Sequence, residues 1–117
     1  MSTDRMRRVN EAVREVLSDA MKLLKDPRVG FVTVTDVRTS PDLRHAKVYV
    51  SVLGTESERA ETMAGLASAH GVLQTAVNRE LRMKRTPTLD FVYDESVDTG
   101  MRISELLRGE EPSEPPT

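Results

Sequence analysis

Residues 66–91 read LASAHGVLQTAVNRELRMKRTPTLDF, and this stretch decides the fold. A helical pattern is interrupted at Ala69-His70-Gly71, a second helical pattern follows, and a short strand begins after Pro87. Glycine inside a helix costs about 1 kcal/mol relative to alanine, so the interruption predicts a kink between two helices. The second helix has one apolar face, at the three-and-four spacing of a buried surface, formed by Leu73, Ala76, Val77 and Leu81.

The end of this second helix is basic. Residues 79–85 hold four cations against one acid, Glu80, for a local charge of +3; the cations are Arg79, Arg82, Lys84 and Arg85. A partner that carries phosphates would suit this charge. The alternative is that these cations are only solvated and stabilise the helix, because cations are favourable at a helix C-terminus.

Composition argues against several classes of function. The 117 residues suffice for one domain with its own core, and the chain has no cysteine and only two histidines, His45 and His70. A thiolate nucleophile, a disulfide framework and a Cys/His zinc site are therefore excluded or disfavoured. The sequence contains no glycine-rich phosphate loop and no HExxH motif, and helix caps and turns account for Asp94 and Asp98. We predict a protein that is not an enzyme and uses no metal, cofactor or small-molecule substrate.

The formal net charge of −2 hides an uneven distribution. Residues 109–117 hold three glutamates, three prolines and no apolar residue, and without them a charge of −2 becomes +1 for residues 1–108. Such a segment cannot bury enough apolar surface to order itself, so we predict a folded domain at 1–108 and a disordered acidic, proline-rich tail at 109–117. The first twenty residues lack the apolar run of a signal peptide or membrane span. We expect a cytoplasmic protein with no membrane partner.

The residues before the central stretch predict a helix and a hairpin. The helix begins at Ser2, Thr3 or Asp4 and ends at 25–26, before Pro27. Three cations near its start do nothing for the helix dipole and are candidates for binding: Arg5, Arg7 and Arg8. Two strands follow at 31–39 and 46–52, where alternation in the second assigns one buried and one polar face, and a slip of parity between Val34 and Val37 predicts a bulge.

The remaining elements complete the prediction of an α+β fold. Thr55 and Glu58 have the spacing of a capping box, and the helix that they open has a face of small or apolar residues, namely Ala60, Met63, Ala64 and Ala67. Residues 89–93 alternate as a third strand, and a last helix after Asp94 or Ser96 is predicted from Val97, Ile103, Leu106 and Leu107. The predicted architecture is a three-stranded sheet with helices packed on one face.

The order helix, strand, strand, helix, kink, helix, strand is typical of the type II KH domain, in which a GxxG loop between two helices clamps a nucleic-acid backbone. The corresponding frame here is Ser68-Ala69-His70-Gly71, so the first glycine is missing. That departure resembles the ribosome-binding factor A family, where an Ala-x-Gly kink replaces the loop. Four further segments resemble the same family: residues 26–30 (DPRVG), 40–50 (SPDLRHAKVYV), 85–94 (RTPTLDFVYD) and 100–104 (GMRIS).

The resemblance implies a factor that binds the free small (30S) ribosomal subunit and promotes late maturation of its 16S rRNA without being the nuclease that trims it. The candidate RNA-binding residues are then Ser68, Ala69, His70, Gly71, Arg79, Arg82, Lys84, Arg85, Arg5, Arg7 and Arg8. We expect His70, between two small residues, to be exposed; it is either a polar residue at a helix junction or part of a backbone contact with RNA.

A different class of function stays open beside this one. Because a fold does not fix a function, the near-neutral charge also suits a protein-interaction or small-ligand-binding module on the same scaffold. With aromatics at only 3%, an RNA-binding surface here would grip backbone and shape and would stack few bases. In both cases we expect a monomer.

Overall fold

The computed structural model describes residues 4–82 and 85–96 of the chain. Their elements follow the predicted order and are α1 (Asp4–Lys22), β1 (Phe31–Thr39), β2 (His45–Leu53), α2 (Glu56–Ser68), α3 (His70–Leu81) and β3 (Thr88–Tyr93). The α+β class is confirmed, and the order is the one that the resemblance to type II KH domains implied. The predicted last helix and the tail at 109–117 lie outside the described residues, so both stay predictions.

The sheet is mixed, with β2 in the middle. β1 pairs with β2 antiparallel, whereas β3 pairs with β2 parallel. A hairpin turn is enough for the antiparallel pair, but the parallel pair needs a long crossover, which α2 and α3 provide. The register between β1 and β2 shifts between Val34 and Asp36, so the predicted bulge is confirmed.

One face of the sheet carries the core, and the helices cover that face. The alternation in β2 is confirmed, since its fully or almost fully buried residues are Ala46, Val48, Val50 and Val52. Ala46, Val48 and Val50 pack in one cluster with Val9, Val13, Leu17 and Met21 of α1 and with Leu73 and Val77 of α3. These helix residues recur every four positions, which places them on a single stripe.

The predicted face of α2 was wrong at its three alanines, whereas Met63 is half-buried against the core as expected. The helix buries Thr62, Gly65 and Leu66, whereas the expected alanines at positions 60, 64 and 67 are exposed. The physical reason is the segment 26–30, which packs against α2: a Cβ atom at Gly65 would lie 2.6 Å from Cγ2 of Val29. The predicted capping box is confirmed, with Thr55 Oγ1 accepting from the Glu58 amide at 3.1 Å and the Glu58 carboxylate accepting from the Thr55 amide at 3.1 Å.

α1 is shorter than predicted. α1 ends at Lys22, three to four residues before the predicted end at 25–26, and α3 ends at Leu81. Arg82 then adopts a left-handed conformation (φ 46°, ψ 35°), which ends the helix in the manner usual for a glycine. Arg79 therefore lies in the last turn of α3, whereas Arg82 lies just past its end. Within residues 4–82 and 85–96, none of the helices combines the length and apolar character that crossing a membrane would need.

Candidate nucleic-acid interface

The kink consists of one residue, Ala69. It ends α2 and begins α3 with φ −86° and ψ 6°, and it stays inside the hydrogen-bond ladder: its amide donates to Gly65 O at 3.0 Å and its carbonyl accepts from the Leu73 amide at 3.0 Å. The chain therefore passes from α2 to α3 without a glycine in a strained conformation.

Gly71 is exposed, and a Cβ atom added there would meet nothing within 4 Å. The fold does not require a glycine at this position, since neither a steric clash nor a positive φ demands one. What the absent side chain does leave is room for another molecule to approach the backbone.

The sequence predicted an exposed His70, and this prediction was wrong. The side chain is half-buried against β3. Its Nε2 lies 2.8 Å from the carbonyl oxygen of Leu89, and its ring meets the ring of Phe91 edge to face at 6.1 Å. Because a carbonyl oxygen can only accept, Nε2 must carry the proton. The side chain of His70 thus joins the start of α3 to the edge strand.

Gln74, one turn further along α3, occupies the same edge. Its Oε1 accepts from the Leu89 amide at 2.9 Å, and its Nε2 donates to Pro87 O at 2.9 Å. His70 and Gln74 together satisfy both backbone groups of Leu89. Bases of a nucleic acid are commonly read through hydrogen bonds of this kind, so the edge of β3 is closed to such readout at Leu89.

Three of the four aromatic rings already contact the chain's own side chains. Besides Phe91, which meets His70, Tyr49 lies under the guanidinium of Arg38 at 5.4 Å and Tyr93 under that of Arg59 at 4.0 Å. The fourth ring, that of Phe31, is 81% exposed. The surface therefore offers little for stacking bases, which favours contacts with backbone and shape.

The predicted cations are exposed wherever the structure describes them. Arg79 lies in the last turn of α3, Arg82 caps the helix and Arg85 lies in the connection to β3. Lys84 lies outside the described residues. In α1, Arg5 and Arg8 are exposed, and Arg7 makes an exposed ion pair with Asp4 at 3.3 Å.

Hydrogen bonds show which elements meet at the basic end of the fold, the end that carries Arg79, Arg82 and Arg85. The Thr88 amide donates to Arg44 O at 2.8 Å, so the hairpin turn lies beside the start of β3. The Thr39 amide donates to Asn10 Oδ1 at 3.0 Å, which holds the first half of α1 at the same end. The structure thus brings the turn, the start of β3 and α1 together, and it adds an exposed cation, Arg44, that no pattern in the sequence had marked.

Arg28 is a further cation of the site that no pattern in the sequence had marked. Its Nη2 donates to Ser68 Oγ at 3.1 Å, so a cation from the segment 26–30 lies at the last residue of α2. Asp26 holds this guanidinium through Arg28 Nη2 at 2.6 Å, and hydrogen bonds from the side chain and backbone of Arg28 lower the pKa of Asp26 to about 2. The one sequence signal that included Arg28 is the DPRVG segment at 26–30, which resembles the family but predicts no function for the arginine.

In the part of the chain that the structure describes, no three His, Asp or Glu side chains are grouped so that they could hold a metal ion. The expected absence of a metal or cofactor stays a prediction.

Taken together, these features define a small α+β domain in which a helix-kink-helix unit packs on one face of a mixed sheet, two of its side chains cover the edge strand, and arginines gather at one end. The sequence profile of the ribosome-binding factor A family matches residues 5–107. The chain therefore belongs to the ribosome-binding factor A family.

Individual relatives agree with this assignment. The chain is 47% identical over 109 residues to ribosome-binding factor A of Halothermothrix orenii, covering 92% of this chain and 89% of the relative. The crystal structure of ribosome-binding factor A from Thermus thermophilus is similar with a TM-score of 0.68 and 30% identity, covering 75% of this chain and 93% of that one. Coordinates of the Thermus thermophilus factor fitted into the cryo-EM map of a complex with 30S match with a TM-score of 0.59 and 28% identity, over 81% and 97% of the two chains.

Proposed function

We propose that this chain binds the free small (30S) ribosomal subunit in the cytoplasm as a monomer, contacts its 16S rRNA and promotes late maturation of that RNA without catalysing a reaction. The observation that carries the proposal is the match to a factor whose coordinates were fitted into a 30S complex. The folded unit that binds spans residues 1–108, and the tail at 109–117 is dispensable for binding.

Two parts of the surface support an RNA contact. The first is the kink, where Gly71 leaves the backbone open, and the second is the basic end with Arg79, Arg82 and Arg85. The closed edge at Leu89 and the covered rings favour contacts with phosphates over readout of bases. Binding should then weaken steeply as salt is raised, because each phosphate contact releases counterions.

The test is binding to purified free small subunits at several salt concentrations. Log affinity falls as log salt rises, and each lost phosphate contact reduces the magnitude of this slope by about 0.7 to 0.9. The double variant Arg82→Ala with Arg85→Ala should therefore reduce it by about 1.4 to 1.8. The matched control is Arg38→Ala with Lys47→Ala, which removes two exposed cations from the open face of the sheet. If the first double variant stays folded and keeps the wild-type slope, this site is wrong and the assignment moves to Arg5, Arg7 and Arg8.

A protein-interaction role is the second candidate, and one observation favours it. The groove between the end of α1 and the start of α3 contains Leu23 and Val72, which are 78% and 64% exposed. Exposed apolar side chains on a groove are typical of protein contacts. Sedimentation separates the two roles: co-migration with free small subunits that is lost at high salt supports RNA binding, whereas co-migration that survives high salt supports an apolar contact.

A further inference from the structure

We infer that Arg28, from the segment 26–30, is a phosphate-contacting residue at the kink, and that Asp26 is the positioning residue that aims it. The inference rests on the proposed function, because it adds a contact to the same surface. It gives a role to the DPRVG segment, for which the residue pattern alone predicts none.

The first observation is that the segment is fixed on α2. Thr62 Oγ1 accepts from the Gly30 amide at 3.2 Å and donates to Arg28 O at 3.2 Å, so one side chain holds the backbone on both sides of Val29. Val29 in turn packs over Gly65, where no side chain would fit. Arg28 therefore starts from a backbone that is already in place.

The second observation is that the guanidinium is held as well. Asp26 Oδ1 accepts from Arg28 Nε at 3.0 Å and Asp26 Oδ2 from Nη2 at 2.6 Å, a fork in which both carboxylate oxygens take part. Nη2 also donates to Ser68 Oγ at 3.1 Å. A long side chain normally loses rotamer freedom when it binds, and here the fold has already removed that freedom.

The third observation concerns the N–H groups of the guanidinium that Asp26 and Ser68 do not occupy. Among the described residues Nη1 makes no hydrogen bond, and the side chain is 45% exposed. Two N–H groups on one nitrogen of a planar, permanently charged group suit the oxygens of a phosphate. Asp26 cancels the net charge of the pair, yet it occupies Nε and Nη2 only.

The place of this side chain ties it to the kink. Ser68 is the last residue of α2 and is followed by Ala69 and His70, before the open backbone at Gly71. Leu24 lines both the groove that contains Gly71 and the groove that contains Val29 and Gly30, so the kink and the segment are neighbours. An RNA backbone that approaches Gly71 would come within the neighbourhood of a cation that is already oriented.

The experiment measures binding to purified free small subunits between about 50 and 200 mM salt. Arg28→Gln, which removes the charge but keeps a donor for Asp26, should reduce the magnitude of the slope of log affinity against log salt by about 0.7 to 0.9. Its deficit in affinity should therefore shrink about threefold over this fourfold range of salt. Arg28→Lys should restore much of the slope, because it restores the charge.

The chain supplies a matched control in Arg38. It has the same spacing from its carboxylate, Asp36, with Nε at 3.0 Å from Oδ2, and its side chain is also exposed, but it lies on the open face of the sheet. Arg38→Gln should leave the slope unchanged. Thermal melts of both variants guard against a loss of binding that is caused by a loss of folding.

The outcomes separate this inference from the proposed function. If Arg28→Gln is folded and keeps the wild-type slope while Arg82→Ala with Arg85→Ala lowers it, Arg28 does not contact phosphate and the proposed function stands. If the wild-type chain does not bind small subunits at all, both are overturned. Equal loss of slope in Arg28→Gln and Arg38→Gln would also overturn the assignment, since it would show a general effect of charge.

Discussion

The Nε2 atom of His70 lies 2.8 Å from the carbonyl oxygen of Leu89, and this contact joins the kink to the edge strand of the sheet. Together with Gln74, which accepts from the Leu89 amide, it leaves no backbone group of Leu89 open to a partner. An uncovered strand edge is a template for pairing with other chains, and side chains that cover it prevent this. The same two side chains join α3 to β3.

The contact predicts a structural cost for the loss of His70. His70→Ala removes a hydrogen bond to a partly buried carbonyl and an edge-to-face contact with Phe91, so the free energy of unfolding should fall by about 1 to 2 kcal/mol. Urea unfolding followed by circular dichroism measures it. His45→Ala is the control, because His45 is exposed at the start of β2. Equal stability of the two variants would show that the contact contributes nothing.

Much of the fold could be predicted from residue patterns, because those patterns report local geometry. Alternation over residues 46–52 identified the buried face of β2, a slip of parity located the bulge, and Thr55 with Glu58 gave the capping box. Each of these features depends on residues close together in the chain. Periodicity and spacing therefore carry the information directly.

The errors concern contacts between distant segments. The inward turn of His70 depends on a backbone carbonyl 19 residues away, and a backbone acceptor has no signature in the sequence. The buried face of α2 depends on Gly65, which looks like a weak point in a helix until Val29 is seen to pack over it. The contact between Arg28 and Ser68 spans 40 residues and could not be found from spacing.

Asp26 predicts a defined dependence of stability on pH. Its pKa in the folded protein is about 2, below the ordinary value of 3.8, because Arg28 donates to its carboxylate. A depressed pKa means that the contribution to stability is complete above about pH 4 and is lost as pH falls from there to about 2. The melting temperature of Asp26→Asn should lie below that of the wild type at pH 6, and the gap should close near pH 2.

Asp19→Asn provides the control for this titration. Asp19 is an exposed carboxylate on α1 with no ion pair in the described part of the chain, so its loss should not produce a gap that closes over the same range. A gap for Asp26→Asn that stays constant from pH 6 to pH 2 would contradict the role assigned to the ion pair.

Two glycines of the helix-kink-helix unit should respond to alanine with opposite signs. Gly71→Ala should raise the free energy of unfolding by up to about 1 kcal/mol, because the added methyl meets nothing and alanine favours the helix. Gly65→Ala should lower it by about 1 to 3 kcal/mol, because its Cβ would overlap Val29. Denaturant unfolding of both variants in one buffer checks the signs.

Gly71→Ala also tests the kink as a binding surface. If RNA approaches the backbone at Gly71, Gly71→Ala should bind small subunits more weakly although it is more stable. Wild-type affinity in a stabilised Gly71→Ala variant would remove the kink from the interface and leave the basic end as the site.

Arg82 allows the backbone and the side chain of one position to be tested separately. It holds φ at 46°, a conformation that costs a non-glycine residue about 1 kcal/mol and that glycine adopts freely. Arg82→Gly should therefore raise the free energy of unfolding by up to about 1 kcal/mol, while Arg82→Ala, which keeps the unfavourable conformation, should stay within about 0.5 kcal/mol of the wild type. Both variants lose the same charge.

If Arg82 contacts phosphate, both variants should reduce the magnitude of the slope of log affinity against log salt by about 0.7 to 0.9, despite their different stabilities. Binding that follows stability instead of charge would show that Arg82 serves only to end α3.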